Sequence, residues 1–343
     1  MKLKELAGHL GLSQTTVSRA LNGYPEVSRE TRERVMDAAR RYDYRPNASA
    51  RGLATGRAGA VGAVLQTSRN LMFDPHYVEF LAGLGERLAE DEMDIVLSPT
   101  KGHDEMGSYR RLAAGNRVDA LVLSSPLVSD ERVRLLTGVG IPFVLHGRTS
   151  NQPMHAWLDI DNEAGFRHAT THLLDLGHTR IALINGLKRF TSAADRDLGF
   201  RAALAERGLT VDEGLIGEGI MTDEVGFRFA ERFLAMTPRP TAMLVSSMMM
   251  ALGAFRAIRS AGLELGKDVS MIAHDDVFPF LNPDRMVPTL STTRSSIRAA
   301  GTRVAELAME LVRGRDPATI HELWPIDLVI RASTGPVKTR NAA

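Results

Sequence analysis

Leu3, Leu6, Ala7 and Leu10 recur at helical spacing and end at Gly11, which predicts a short first helix. Ser13 is placed to cap a second helix with Val17, Ala20 and Leu21 on its inner side. That leaves Gln14, Thr15, Ser18 and Arg19 facing outward. Val27-Ser28 opens a third helix, Arg29 to Tyr42, in which Val35, Ala38, Ala39 and Tyr42 can cover the first two. From Ala58 the texture changes to apolar runs alternating with helices. Strands are expected at 60–65, 94–97, 120–123 and 141–145, with a helix around Tyr77 to Glu90. A second series starts near Trp157: helix Asn162 to Leu176, strand 180–184, helix 194–207, and strands 242–245 and 269–273. Continuous apolar strands separated by helices predict parallel sheets covered on both faces. Two such series imply two doubly wound subdomains, with a ligand cleft at the C-terminal ends of the strands.

With 343 residues and 44% hydrophobic content, the chain can bury a large core in two or three domains. It has no cysteine, which removes disulfide and thiolate chemistry. The start, Met1-Lys2-Leu3-Lys4-Glu5, does not read as a signal peptide, and no run approaches the ~18 apolar residues of a membrane span. A soluble, cytoplasmic protein is the expectation. Charge sharpens the picture: residues 1–59 hold 11 Lys/Arg against 6 Asp/Glu, net +5, whereas the whole chain is +1 and the remainder therefore −4. A small basic helical module suits a phosphate backbone.

Amide, hydroxyl and guanidinium groups on one short helix can address base edges and phosphates, so a helix-turn-helix is the natural reading. A helical hairpin with a polar face remains open on pattern alone. Residues 43–58 form a link in which Pro46 stops the third helix and 47–54 span about two turns. Gly52 costs about 1 kcal/mol relative to Ala there, and by itself the segment reads as a flexible linker. Enzyme signatures are absent: no Gly-x-Gly-x-x-Gly after a strand, no Walker loop, no Gly-x-Ser-x-Gly elbow. His168 and His172 have metal-ligand spacing, with His178 following, but Ala169 stands where a zinc hydrolase needs Glu. No metal and no cofactor are expected. Met248-Met249-Met250 reads as adaptable packing at a helix start, with an apolar cleft wall as the second reading. Asp275-Asp276, at a strand end, suits either acid/base work or hydroxyl binding.

The run Thr15-Thr16-Val17-Ser18-Arg19-Ala20-Leu21-Asn22, followed by Val27-Ser28, Thr31-Arg32, Val35, Ala38-Ala39, Tyr44-Arg45-Pro46-Asn47 and Ala50-Arg51-Gly52-Leu53, resembles the lac repressor family of bacterial regulators. The match is dense over the first sixty residues and thinner beyond. The resemblance implies DNA contacts from Ser13, Gln14, Thr15, Thr16, Ser18, Arg19 and Asn22. It also implies a hinge helix that folds on the operator, with Asn47 and Ala50 at the DNA and Leu53 wedged into the minor groove. The core then becomes a periplasmic-binding-protein fold. Its divisions are expected at 1–45 (helix-turn-helix), 46–58 (hinge), 59–158 with 290–322 (first subdomain), 159–289 with 323–335 (second) and 336–343 (polar tail). The late crossings fall near Thr289 and Leu323.

For the effector, the resemblance places Asp275 and Arg196 at positions that bind sugar hydroxyls, against rival readings as a turn cap and a solvated helix residue. Asp74 is a rim candidate, equally suited to capping the helix that begins near Pro75. One departure stands out: where the family carries Asn-Asp before a Met-Ala-x-Gly helix, this chain has Ser247-Met248. Within the family, the overall texture most resembles repressors of α-glucoside uptake in soil bacteria. The implied protein is a repressor of operator DNA, nucleoid-associated in the cytoplasm, controlled by a small effector expected to be a sugar. A helix-turn-helix reads one half-site, and the short tail lacks leucine heptads, so a homodimer on a pseudo-palindrome is expected. The alternatives are a co-repressor-dependent repressor binding a purine-like metabolite, or a sugar-binding receptor or enzyme on the same scaffold.

Overall fold

The computed structural model describes residues 1–44, 56–66, 75–100, 104–149, 154–274, 278 and 281–338. The hinge expectations at Asn47, Ala50 and Leu53, and the effector candidates Asp74 and Asp275, lie outside these residues. The N-terminal module is three helices, α1 (Leu3–Leu10), α2 (Gln14–Leu21) and α3 (Arg29–Arg41). Gly11 ends α1 in the left-handed conformation, φ 65°, which a residue with a side chain adopts only at a cost. Leu6, Ala7, Val17, Ala20, Val27, Val35 and Ala39 close a small core, with Tyr44 packed against it. Tyr42, expected to cover the first two helices, instead caps α3 and leans on His9, ring centroids 5.0 Å apart. Tyr44 is the tyrosine that reaches the core.

Two six-stranded sheets make up the rest. The first holds β1 (Ala60–Gln66), β2 (Asp94–Thr100), β3 (Ala120–Ser124), β4 (Phe143–His146), β5 (Ala156–Ile160) and β11 (His321–Trp324), in the order β11-β5-β4-β3-β1-β2. The second holds β6 (Ile181–Asn185), β7 (Ile216–Glu218), β8 (Ala242–Val245), β9 (Ser270–His274), β10 (Ser291–Arg294) and β12 (Asp327–Val329), in the order β12-β10-β9-β8-β6-β7. Every pairing is parallel except β10 with β12. Helices α4 (Pro75–Glu90), α5 (Glu105–Ala114) and α6 (Glu131–Val139) belong with the first sheet, and α7 (Asn162–Asp175), α8 (Thr191–Glu206), α9 (Asp223–Leu234) and α10 (Met248–Ser260) with the second. The last, α11 (Ile297–Val312), returns to the first.

The strand period of two sorts side chains between the layers. Ala182, Ile184, Met243, Val245, Met271 and Ala273 enter one cluster, while Ile181, Leu183, Ala242, Leu244 and Ile272 enter the cluster on the opposite face. At about 25 cal/mol per Å2 of apolar area removed from water, such doubly covered strands dominate the stability of each lobe. Paired helices approach backbone to backbone: a Cβ on Gly83 would overlap the Arg298 carbonyl, and one on Gly301 the Phe80 carbonyl.

The chain passes between the sheets after β5, after β10 and after β11. The first passage lies close to the expected boundary at 158. The second follows Arg294 rather than Thr289, because Ser291–Arg294 pairs with β9 and so stays in the second lobe. The third follows Trp324, which pairs with Ile160. Short strands such as β10 carry polar residues, Ser291, Thr292 and Thr293, and give no apolar signal in the sequence although all three are buried.

Candidate functional site

The exposed face of α2 is organised by its own polar residues. Ser13 Oγ accepts from the Thr16 backbone N–H at 3.0 Å, and the two hydroxyls pair at 2.8 Å. At the other end the Asn22 side-chain amide donates to the Ser18 carbonyl at 2.9 Å. Ser13, Thr16 and Asn22 therefore hold the helix ends, while Gln14, Thr15 and Arg19 stand exposed to a partner. Gln14, Thr15, Ser18, Arg19 and Asn22 share one shallow concavity with Leu3 and Tyr24. Neither Leu3 nor Tyr24 was expected there. Arg32 donates to the Tyr24 carbonyl at 2.8 Å and so fixes the turn between α2 and α3.

The second site is a cavity of about 1160 Å3, part of it open to solvent, between the two lobes. Its walls come from the C-terminal ends of β3, β4, β5 and β9, the turns after β8 and β10, and the N-terminal turns of α4, α8, α10 and α11. This is where parallel sheets leave backbone groups for ligands. Arg196 lies in this wall, buried. Its Nε donates to Asn162 Oδ1 at 2.7 Å, its Nη1 to the Ser246 carbonyl at 3.1 Å, and its guanidinium sits 5.4 Å from the Phe166 ring centre. Gly199, one turn further along α8, lets α8 close on α7, since a Cβ there would overlap the Glu163 carbonyl. That contact sets Arg196 against Asn162. Ser247 also faces the cavity, but its hydroxyl caps α10 by accepting from the Met250 N–H at 3.2 Å. The methionines do both things foreseen for them: Met248 and Met250 fill the core, and Met248 and Met249 wall the cavity.

Three ionisable cavity residues, Asp159, His146 and His274, carried no signal in the sequence. Asp159 is buried, and burial, offset by Arg148 at 3.2 Å, pushes its carboxyl up to about 6. The same Arg148 reaches Asp195 on α8 at 3.5 Å, so one guanidinium ties the first lobe to the second. Burial, reinforced by His76, pushes His146 down to about 3; its ring stacks on Phe80 at 4.6 Å. Burial, with Arg196 and His76, holds His274 well below the usual histidine range. Both imidazoles are neutral at physiological pH. Their position at strand ends was a usable clue; their chemistry was not, because a lone histidine or aspartate at a strand end looks like any other.

On the rim, Arg132 donates to the Ser124 and Ser125 carbonyls, each at 3.2 Å, and pairs with buried Asp130 at 2.5 Å. Burial would raise the Asp130 carboxyl, but Arg132 outweighs it and holds it below the usual carboxylate range. This pair braces Ser125, which adopts the left-handed φ of 51° at the mouth. Beside it, Val128 N–H donates to the Arg189 carbonyl at 3.0 Å and Thr191 N–H to the Pro126 carbonyl at 3.1 Å, so the lobes touch along one edge. Of the histidines with metal-like spacing, His178 is a packing element bonded to Thr241 at 2.9 Å and Ser270 at 3.0 Å. Among the described residues no cluster of ligating side chains fits a metal ion. No helix there is long and apolar enough to cross a membrane.

Two lobes of doubly wound sheet facing each other across a ligand-sized cavity, joined by three crossings, define a periplasmic-binding-protein-like core behind a helix-turn-helix module. The family described as bacterial regulatory proteins, lacI family, matches residues 2–47, and a periplasmic binding protein-like domain matches 170–334. The HTH-type transcriptional regulator AglR of Rhizobium meliloti is 47% identical over 99% of this chain and 96% of its own length. RafR of Escherichia coli, also an HTH-type transcriptional regulator, is 32% identical over 94% of this chain and 96% of its own. Among solved structures, the lac repressor dimer bound to operator and an anti-inducer superposes with a TM-score of 0.83 at 27% identity, covering 98% of this chain and 99% of that one. The chain belongs to the lacI family of bacterial regulatory proteins. It is a family of transcriptional regulators, not of enzymes.

Proposed function

We propose that the protein is a dimeric repressor that reads a pseudo-palindromic operator through α2 and releases it when a neutral saccharide binds between the lobes. The observation that carries this reading is the pairing of the two sites: an exposed amide–hydroxyl–guanidinium face on a basic module, and a cavity between the lobes lined by Arg196, Asn162 and serine hydroxyls. Gln14, Thr15 and Arg19 address base edges, Ser18 and its neighbours the phosphates, and Ser13, Thr16 and Asn22 preserve the helix that presents them. In the cavity, Arg196 and Ser247 contact the effector; Asp74 and Asp275, outside the described residues, are proposed as further contacts on the family resemblance. The operator-bound lac repressor dimer and the CelR–cellobiose complex, the latter at TM-score 0.73 and 28% identity, support the two halves of the reading. The resemblance to repressors of α-glucoside uptake names the first ligands to try. The protein then works at the nucleoid in the cytoplasm.

The effector acts only through its different affinity for two arrangements of the lobes. Closing them displaces the first lobe beneath residue 58, separates the paired hinges, and withdraws Leu53 from the minor groove. Ligand-free protein incubated with fragmented genomic DNA should retain one palindrome beside sugar-uptake or glycosidase genes. Maltose, trehalose or sucrose should then release it. Retention only when a purine is added would replace induction by co-repression. Leu53→Ala should weaken operator binding and leave sugar binding intact; unchanged operator affinity would sink the hinge assignment.

A further inference from the structure

We infer that His274 is a specificity residue of the effector cavity: its Nε2–H donates a hydrogen bond to a ring or hydroxyl oxygen of an uncharged polyol. This deepens the saccharide reading and rests on it. His274 ends β9 and is 1% exposed, and its ring lines the cavity. Its Nε2 is buried and has no hydrogen-bond partner among the described residues. Its Nδ1 lies 2.7 Å from Thr293 Oγ1, and Thr293 is the residue paired with His274 in the β9–β10 register.

That geometry selects a tautomer. The Thr293 hydroxyl is fully buried and has no second partner among the described residues. If Nδ1 carried the proton and donated to Thr293, the Thr293 hydroxyl proton would be stranded in the core. If the Thr293 hydroxyl donates to Nδ1, both of those groups are satisfied and the imidazole proton sits on Nε2, the nitrogen with no partner among the described residues. His274 then presents a neutral N–H. It lacks the charge that favours a carboxylate or phosphate, because burial beside Arg196 and His76 opposes protonation. The ring packs against Phe166 at 5.7 Å between centroids, the same ring that seats the Arg196 guanidinium. One wall therefore offers a cationic donor and a neutral donor side by side. Neighbouring oxygens of a sugar ring match that pair.

The test is calorimetric titration of the full chain with maltose, trehalose and sucrose at pH 7.5, repeated on His274→Phe and His274→Gln, with circular dichroism to verify folding. For the sugar that binds best, H274F should weaken binding at least tenfold, and H274Q, which returns an N–H donor, should recover part of the loss. In histidine-15N-labelled protein the Nε2 resonance should report the protonated nitrogen and shift on saturation with that sugar. Equal affinity of folded H274F and wild type would overturn the role of His274 while leaving the saccharide reading standing. So would a ligand-free ring protonated on Nδ1. Binding of hypoxanthine or guanine, with none of the three sugars binding the wild type, would overturn both.

Discussion

The two reading surfaces of this chain are built in opposite ways. The α2 face is local: Ser13 to Asn22 supply the helix, its caps and its proposed readers, of which Gln14, Thr15 and Arg19 are exposed. The cavity is assembled from residues as distant as Ser124, Arg196, His274 and Ser296, and in its wall Arg196, Asn162 and Ser246 are buried and bonded to one another. An exposed reader can change with little cost to folding, because water replaces the lost partner. A buried cavity residue cannot, because its removal strands the groups that held it. Specificity for DNA and specificity for the effector are thus under different constraints in one protein.

The sharpest way to test that contrast is Arg196→Ala. It should abolish the sugar response and, by leaving Asn162 Oδ1 and the Ser246 carbonyl unpaired, cost about 3 kcal/mol of stability, read from urea unfolding. Full stability in that variant would break the claim that the cavity's polar groups are interlocked. Gly199→Ala should come next, at about 1–3 kcal/mol, since the new methyl group meets the Glu163 carbonyl and forces α7 and α8 apart. Sugar affinity should fall with it, because Arg196 rides on α8. Arg19→Ala should weaken operator binding by about 1–3 kcal/mol and leave the melting temperature where it was. A drop in melting temperature would show that the reading face is less independent of the fold than its exposure implies.

Acid should affect the cavity through its histidines. A histidine whose folded pKa lies below the ordinary 6.5 takes up its proton more readily unfolded. Stability is therefore complete above pH 6.5 and is lost as pH falls from there toward about 3 for His146. Asp159 acts in the opposite sense: with its folded value raised to about 6 from 3.8, its burial costs stability above pH 6 and that cost disappears as pH falls to 3.8. Between pH 7.5 and 5 the His146→Phe variant should lose less stability than wild type, and Asp159→Asn should lose more. The smallest effect belongs to the Arg29–Glu33 pair on α3, whose side chains are 93% and 63% exposed. Glu33→Ala should leave the unfolding midpoint unchanged within error.

The N-terminal module was legible almost residue by residue. Helical spacing, Gly11 and the Ser13 and Ser28 caps place three helices, and only Tyr42 exchanged its role with Tyr44. The long apolar strands were equally plain. The polar ones were not: β10 reads as a serine–threonine loop, and that is why the crossing moved from Thr289 to beyond Arg294. At the cleft, comparison with the family pattern pointed to Arg196 and to the departure at Ser247, both of which line the cavity, whereas it did not point to Asp159, His146 or His274. Single residues at strand ends have no periodicity to betray them.

Periodicity and local chemistry, then, determined on their own the fold class, the strands of each sheet's centre and the surface of α2. All of these depend on residues a few positions apart, whose mutual geometry a helix or strand dictates. What Thr293 does to His274, what Gly199 does for Arg196, and how Arg148 ties Asp159 to Asp195 were decided only by the tertiary structure. Each joins residues from different elements, and whether a buried polar group is paired, charged or left facing a cavity depends on which neighbours the packing brings to it.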